Sequence, residues 1–287
     1  MSLSIIIVTW NSANEIIPCL DSIFEQIGPD DEVFVIDNAS QDDTVKLAGE
    51  RFGKIALISN SNNLGYARAT NQGLDKATGD YILLLNPDTI LMPNAIEAMM
   101  AFMESNPHVG AIGPQLLNTD GTIQPSCREF PRPEHLIYEF TGLSKIFPQH
   151  KVFGSWRMGY FDHNSLREVD QPMGACLMVR RSVIAQVGPI DEERFPMFLN
   201  EVDWCWRIKS NGWKIVFFPR SQVIHIHGVS VKKARLAMTV SSHRSLAVFF
   251  DKYHGKRFST LMAKSLLLIA LPPRLLFQYL SKKLKLP

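Results

Sequence analysis

The sequence predicts an α/β fold: a mixed, mainly parallel sheet with helices on both faces. Three observations carry this. Runs such as Ile5-Ile6-Ile7-Val8 lack polar alternation, as strands buried on both faces require. These runs alternate with amphipathic helical stretches, the order of repeated β-α units. Polar residues cluster where three strands end, at Thr9-Trp10-Asn11, Asp37-Asn38 and Asn86-Pro87-Asp88. Open α/β sheets bind their ligands beyond those carboxyl ends.

The elements follow in order. After the first strand, Ile16, Leu20, Ile23 and Ile27 form one stripe of a helix over 15–26. Val33-Phe34-Val35-Ile36 is a second buried strand, and Ser40 with Asp43 three residues on reads as the start of a helix running to about residue 52. A third strand covers 55–58, a polar loop 60–65, and a helix 66–77 with Gly79 beyond its end. Tyr81-Ile82-Leu83-Leu84-Leu85 is a fourth buried strand, and Pro93 opens a helix to about residue 104. The second half is less regular. Residues 127–170 mix Pro, Phe, His and basic residues and read as a mobile insertion. A strand is expected over 173–179, a helix over 198–211 stopped by Gly212, and strands over 213–218 and 223–227. Two helices close the chain, 235–253 and 258–285, the second broken at Pro272-Pro273.

Composition excludes several classes. The chain has 287 residues, 46% of them hydrophobic, which is enough for a sizeable core. A net charge of +2 gives no field for nucleic acid. Cys19, Cys127, Cys176 and Cys205 form no CxxC pair and no zinc spacing, and read as small apolar residues of a reducing compartment. The apolar run 3–8 is too short for a signal peptide. No GxGxxG follows the first strand, which excludes a dinucleotide-binding dehydrogenase. A sugar nucleotidyltransferase would need a glycine-rich loop where Thr9-Trp10-Asn11-Ser12-Ala13 stands.

Five short units carry candidate chemistry. Asp88, at a strand end, is a hard oxygen ligand for a divalent cation, or simply a turn residue. Asp37 is an acceptor for a base or ribose, or a helix cap. In Asn63-Leu64-Gly65-Tyr66-Ala67-Arg68, Gly65 lets the chain approach a ligand closely, and Arg68 sits in a first helical turn that the dipole disfavours for a cation, so a partner anion is expected. Glu201 and Asp203 are two positions apart on a helix and do not share a face. One can serve as general base while the other braces a loop or helix, and the flanking Trp204 and Trp206 argue against full exposure. His225 and His227 share one face of a strand and are a metal pair or buried structural histidines.

The order of these units, with Gly174-Ala175 and Arg180-Arg181 between them and His225-x-x-Gly228-x-Ser230 at the end, resembles the family 2 glycosyltransferases, and most closely their rhamnosyltransferase-like branch. The similarity covers about residues 3–250. It implies a GT-A fold over 1–230, with a nucleotide-binding half at 1–115 and an acceptor half at 116–230, followed by a helical extension at 231–287. It implies an inverting transferase that takes a TDP- or UDP-linked sugar, rhamnose by the branch resemblance, to a glycan or lipid-linked acceptor. A divalent cation, manganese or magnesium, is implied at Asp88 and His225. Thr9, Asn11, Asp37, Asn38, Asn63, Gly65, Arg68, Asn86 and Asp88 fall where relatives hold the nucleotide, and Gly174, Ala175 and Trp204 where they hold the donor sugar or acceptor. The family's usual Glu-Asp-Val-Asp run is Asn200-Glu201-Val202-Asp203 here, so Glu201 takes the base position and Asp203 is the second choice. The alternative is a catalytically inactive homologue that binds glycan or nucleotide, which the Asn200 substitution favours.

The tail from 258 is apolar, punctuated by Lys264, Arg274, Lys282, Lys283 and Lys285. Interrupted by two prolines, it is too short to span a bilayer and reads as a basic amphipathic helix on the inner face of the cell membrane, in the cytoplasm. The alternative is a helix packed on the core or on a second copy in a homodimer.

Overall fold

Alternation along one strand sets the layers. Leu3, Ile5 and Ile7 join the core on one side of the sheet, and Ile6 and Val8 the core on the other. The computed structural model describes residues 1–226 and 235–284; His227, Gly228, Ser230 and the boundary at 230 lie outside the described residues.

The first half runs β1 (Leu3–Thr9), α1 (Ile16–Phe24), β2 (Glu32–Asp37), α2 (Thr44–Arg51), β3 (Ile55–Ser59), α3 (Tyr66–Leu74), β4 (Tyr81–Leu85), β5 (Thr89–Leu91), α4 (Ala95–Ser105) and β6 (Val109–Leu117). The second half continues through β7 (Ile123–Gln124), β8 (Cys127–Arg128), α5 (Pro133–Phe140), α6 (Leu143–Ile146), β9 (Arg167–Glu168), β10 (Gln171–Pro172), β11 (Cys176–Arg180), α7 (Arg181–Val187), α8 (Asn200–Ser210) and β12 (Lys214–His225). Helices α9 (Arg235–Tyr253) and α10 (Phe258–Leu284) follow.

Among the described residues the main sheet has the order β3-β2-β1-β4-β11-β6-β12-β5, with β7 on β6 and β9 on β12. Strands β3, β2, β1 and β4 are parallel, as are β6 and β12. Strand β11 runs antiparallel between β4 and β6. This register brings the carboxyl ends of β1, β2 and β4 to one edge, and Asn86 donates its N–H to the Ala175 carbonyl at the start of β11 (2.9 Å). Helix α3 packs so closely that a Cβ at Gly73 would lie 2.6 Å from Ile6 Cγ2.

Several expectations are corrected. The two strands expected over 213–218 and 223–227 are one strand, β12, because a register shift between Phe218 and Gln222 absorbs Pro219 without ending the pairing. Pro93 does not open α4; Asn94, at φ 63, precedes its first residue. Ser40 does not start α2; it bonds Asp37 instead. Residues 127–170 hold two short helices, and Leu136 of α5 packs into a third core with Val202 of α8, Phe249 of α9 and Leu267 of α10. Pro272 and Pro273 do not break α10; they are exposed, as are residues 268 and 269, whose carbonyls lose their donors. All four cysteines are buried and unpaired.

Candidate active site

The first strand ends are wired to each other. Thr9 Oγ1 donates to Asp37 Oδ1 (3.0 Å), and Ser40 donates to both Asp37 oxygens, from Oγ (2.5 Å) and N (2.9 Å). Asp37 therefore organises its own turn and caps no helix. Asn11, at φ 53, accepts from Gln41 N and donates its N–H to Ser40 Oγ. Asn38 is buried and reaches across to Asn63 Oδ1 (3.0 Å) and the Gly65 carbonyl (3.2 Å), while its own Oδ1 accepts from Leu64 N (3.0 Å). Two non-glycine residues at positive φ, Asn11 and Ala39, thus lie side by side in these loops. Such strain persists where surrounding bonds over-determine it.

Gly65 and Arg68 both have neighbours in the loop before α8. Gly65 has φ +85, and a Cβ there would meet the Pro196 carbonyl oxygen at 3.0 Å. Its close approach is to the chain itself. Ala67 N donates to that same carbonyl, and Asn71 bonds both the main chain of Ile190 and Glu192 Oε2. The anion expected near Arg68 is Glu192, 3.8 Å away on an exposed surface. Helix α3 and the loop before α8 are therefore stitched together.

Asp88 sits just past β4, nearly buried, and burial pushes its carboxyl up to about 6, with the Glu15 carboxylate adding to the rise. His225, at the end of β12, faces it with Nε2 3.6 Å from Asp88 Oδ1. Pairing of Thr89 with His225, and the bond from Ile226 N to the Asp88 carbonyl (2.9 Å), hold the two together. Behind the ring, Nδ1 lies 2.7 Å from Gln124 Oε1, a partner that fixes ring orientation as second-layer groups do at metal sites. One carboxylate and one imidazole fit a divalent cation that keeps positions for phosphate and water oxygens. Among the described residues no third acid, Cys or His completes a protein-only cluster.

Helix α8 separates its two acids. Leu199, at φ 61, turns the chain into the helix. Asn200 is buried and donates from Nδ2 to the Met197 carbonyl (2.8 Å), which the acid of the family's usual run cannot do when ionised. Glu201 packs against Gly174, where a Cβ would lie 3.2 Å from Glu201 Cγ. Burial raises its carboxyl, and among the described residues no cation pairs with it. Asp203, fully buried, is clamped by Arg207 Nε (2.9 Å), Lys252 Nζ (2.6 Å) and the Tyr253 hydroxyl (2.6 Å). Those contacts make it the brace between α8 and α9.

Trp204 is not at the site. It is completely buried in the core and donates Nε1–H to the Gly188 carbonyl (2.9 Å). Arg180 and Arg181 are also remote from Gly174-Ala175, at the far end of β11, where Arg180 bonds the Tyr81 hydroxyl and the Val109 carbonyl. A cavity of about 470 Å³ opens beside them, away from Asp88 and Glu201.

Tyr66 is a central residue that the motifs did not single out. Its phenol is pushed up first by burial, and further by the charges of both Glu201 and Asp88. It is the first residue of α3. Its sequence signal is its place beside Gly65. Gln124 and Glu15 carry no such signal, since each reaches Asp88 or His225 only through the fold.

Known proteins share the family and the fold. The model of the family described as "Glycosyl transferase family 2" matches residues 4–170. An N-acetylglucosaminyl-diphospho-decaprenol L-rhamnosyltransferase of Mycobacterium tuberculosis is 28% identical over 238 residues, 78% of this chain and 75% of that protein. The low-salt glycan biosynthesis hexosyltransferase Agl10 of Haloferax volcanii is also 28% identical, over 81% of this chain and 69% of its own. In structure, the chain is similar to the mannosyltransferase PcManGT of Pyrobaculum calidifontis in complex with GDP-Man and Mn2+, with a TM-score of 0.59 at 20% identity over 95% of this chain and 71% of that one. It is also similar to residues 1–349 of S. aureus TarS in complex with UDP, with a TM-score of 0.56 at 16% identity over 93% of this chain and 71% of that one. With its sheet order, its strand-end acids and more than half its length matched, the chain belongs to glycosyl transferase family 2, as a GT-A-fold transferase of the rhamnosyltransferase-like kind.

Proposed function

We propose that the protein transfers a sugar from a nucleotide-diphosphate donor to a hydroxyl of a glycan or lipid-linked acceptor, with inversion at the anomeric carbon. The work belongs to cell-surface polysaccharide synthesis on the cytoplasmic side of the membrane. The observation that carries this is the facing pair of Asp88 and His225, 3.6 Å apart just beyond the carboxyl end of β4. A TDP- or UDP-linked donor, with rhamnose as the sugar, is favoured by the similarity to the mycobacterial L-rhamnosyltransferase.

The roles divide by position. The turn formed by Thr9, Asn11, Asp37 and Asn38, with Asn63 and Asn86 beside it, takes the nucleoside. Asp88 and His225 would hold a divalent cation, manganese or magnesium, which when bound neutralises charge on the diphosphate. Glu201 accepts the proton of the acceptor hydroxyl. A carboxyl raised by burial is a stronger base than a solvated one. The acceptor oxygen attacks the anomeric carbon from the face opposite the diphosphate. The new carbon–oxygen bond forms as the bond to the diphosphate breaks, and the proton stays on Glu201. No covalent enzyme intermediate is needed, so one base suffices. Asn200 stands where the family's usual run has its first acid rather than its base, and it donates to the Met197 carbonyl.

Calorimetric titration with UDP, deoxy-TDP, GDP and CMP, each with and without manganese, tests this reading. One diphosphate should bind in a metal-dependent way, and Asp88→Ala should lose that binding by about tenfold or more. Failure of all four nucleotides to bind, or manganese-stimulated binding that Asp88→Ala leaves intact, contradicts it.

A further inference from the structure

Helix α10 has two long faces in opposite surroundings. On one, Ala263 and Leu267 pack into a core with Leu246, Phe249 and Phe250 of α9. On the other, Phe258, Leu261, Met262, Leu268, Ile269 and Leu276 are exposed, the least of them 41% and the most 77%. Steps of three and four place them on one stripe. The other exposed positions along it, Ser265, Pro272 and Pro273, are uncharged. At 1.5 Å per residue the stripe is about 27 Å long. Contiguous exposed apolar surface of this kind marks an interaction site.

Charge identifies the occupant. The whole chain has a net charge of +2, yet the stretch from Lys256 to Pro287 holds seven Lys or Arg and no Asp or Glu. Lys256 and Arg257 stand exposed at the amino end of the stripe; Arg274, seven positions after Leu267, is exposed on the side of the helix away from the stripe, and Lys264 is engaged by Asp251. Two copies paired through this face with their helices parallel would set the Lys256-Arg257 ends against each other, with no acid on the helix to answer them. A layer of anionic phosphate headgroups over acyl chains matches the apolar stripe and the cations together.

We propose that α10 seats the protein on an anionic membrane surface, its apolar stripe at the boundary of headgroups and acyl chains and its flanking cations on lipid phosphate. The segment Phe258–Leu276 is long and apolar enough to cross a membrane by length and composition. It lies along the surface instead, because Ala263 and Leu267 hold its inner face against α9. This inference does not depend on the catalytic assignments.

The test is cosedimentation of the full chain with vesicles of phosphatidylcholine alone or mixed with phosphatidylglycerol. The protein should pellet with the mixed vesicles and leave them at high salt. It should bind phosphatidylcholine alone about thirtyfold more weakly, as the loss of lipid charge opposite Lys256 and Arg257 requires. The double variant Leu268→Glu, Ile269→Glu changes only exposed positions. It should lose vesicle binding while keeping its circular dichroism and its nucleotide binding. Equal binding to both vesicle types overturns the electrostatic part, and release by detergent but not by salt overturns the surface placement. A chain that sediments as a dimer, becomes monomeric in the double variant and ignores both vesicles assigns the face to a second copy and overturns the proposal.

Discussion

The two halves of the site are held by different means. In the first half, the loops after β1 and β2 bond one another through Thr9, Asn11, Asp37 and Ser40, all on elements adjacent in sequence and in the sheet. In the second half, α8 is fixed by Asp203, whose partners Lys252 and Tyr253 come from α9, about fifty positions later. The difference is clearest within α8 itself. Asp203 is saturated by two cations and a phenol, while Glu201, two positions earlier on another face, is raised by burial and pairs with no cation among the described residues. The paired acid braces the helix while its neighbour stays without a cation partner among the described residues.

Breaking the brace should give the largest effect on stability. Asp203→Ala leaves Arg207 and Lys252 without their shared buried partner and should cost about 3–5 kcal/mol, read by urea denaturation. A variant as stable as the parent would show that α8 and α9 do not depend on this clamp. Trp204→Phe removes the Nε1–H bond to the Gly188 carbonyl and part of a fully buried ring system, and should cost about 1–3 kcal/mol with donor binding kept. A donor-binding defect out of proportion to the stability loss would return Trp204 to the site.

Glu201→Gln should move stability the other way. Burial raises the Glu201 carboxyl in the fold, so the folded state favours its protonated form. That contribution is complete below the unfolded carboxyl's pKa of ~4.3 and is lost as pH rises through the higher folded value. Removing the charge should therefore stabilise the protein at pH 7, with the gain vanishing near pH 4. Unfolding curves at the two pH values check the sign. The same shift sets activity: the base must be ionised, so kcat should rise with pH through a value above the ordinary carboxylate range. The smallest change is Gly174→Ala. Its Cβ would press on Glu201 at 3.2–3.5 Å and should lower kcat severalfold with little change in donor binding.

The same contrast explains what the sequence discloses. Strands buried on both faces show as unbroken apolar runs closed by polar residues, so β1, β2 and β4 and the placing of Thr9, Asp37 and Asp88 at or just past their ends are legible. Gly65 is legible as a special backbone position but not in its partner, since only the fold brings Pro196 to it. The Asp203–Lys252–Tyr253 clamp joins distant segments and leaves no spacing to read. Trp204 misleads because a tryptophan beside acids looks alike whether it faces ligand or core. Pro219 suggests a strand end, yet a bulge accommodates it within β12.

The central claim is that Glu201 does the proton chemistry and Asp203 the bracing. Release of free nucleoside diphosphate in the presence of acceptor, measured for Glu201→Gln and Asp203→Asn at a temperature where both are folded, tests it most directly. Turnover should fall by about 10²–10⁴ in Glu201→Gln with donor affinity unchanged, and by much less in Asp203→Asn. Retained turnover in Glu201→Gln with turnover abolished in a folded Asp203→Asn would contradict the assignment and exchange the two roles.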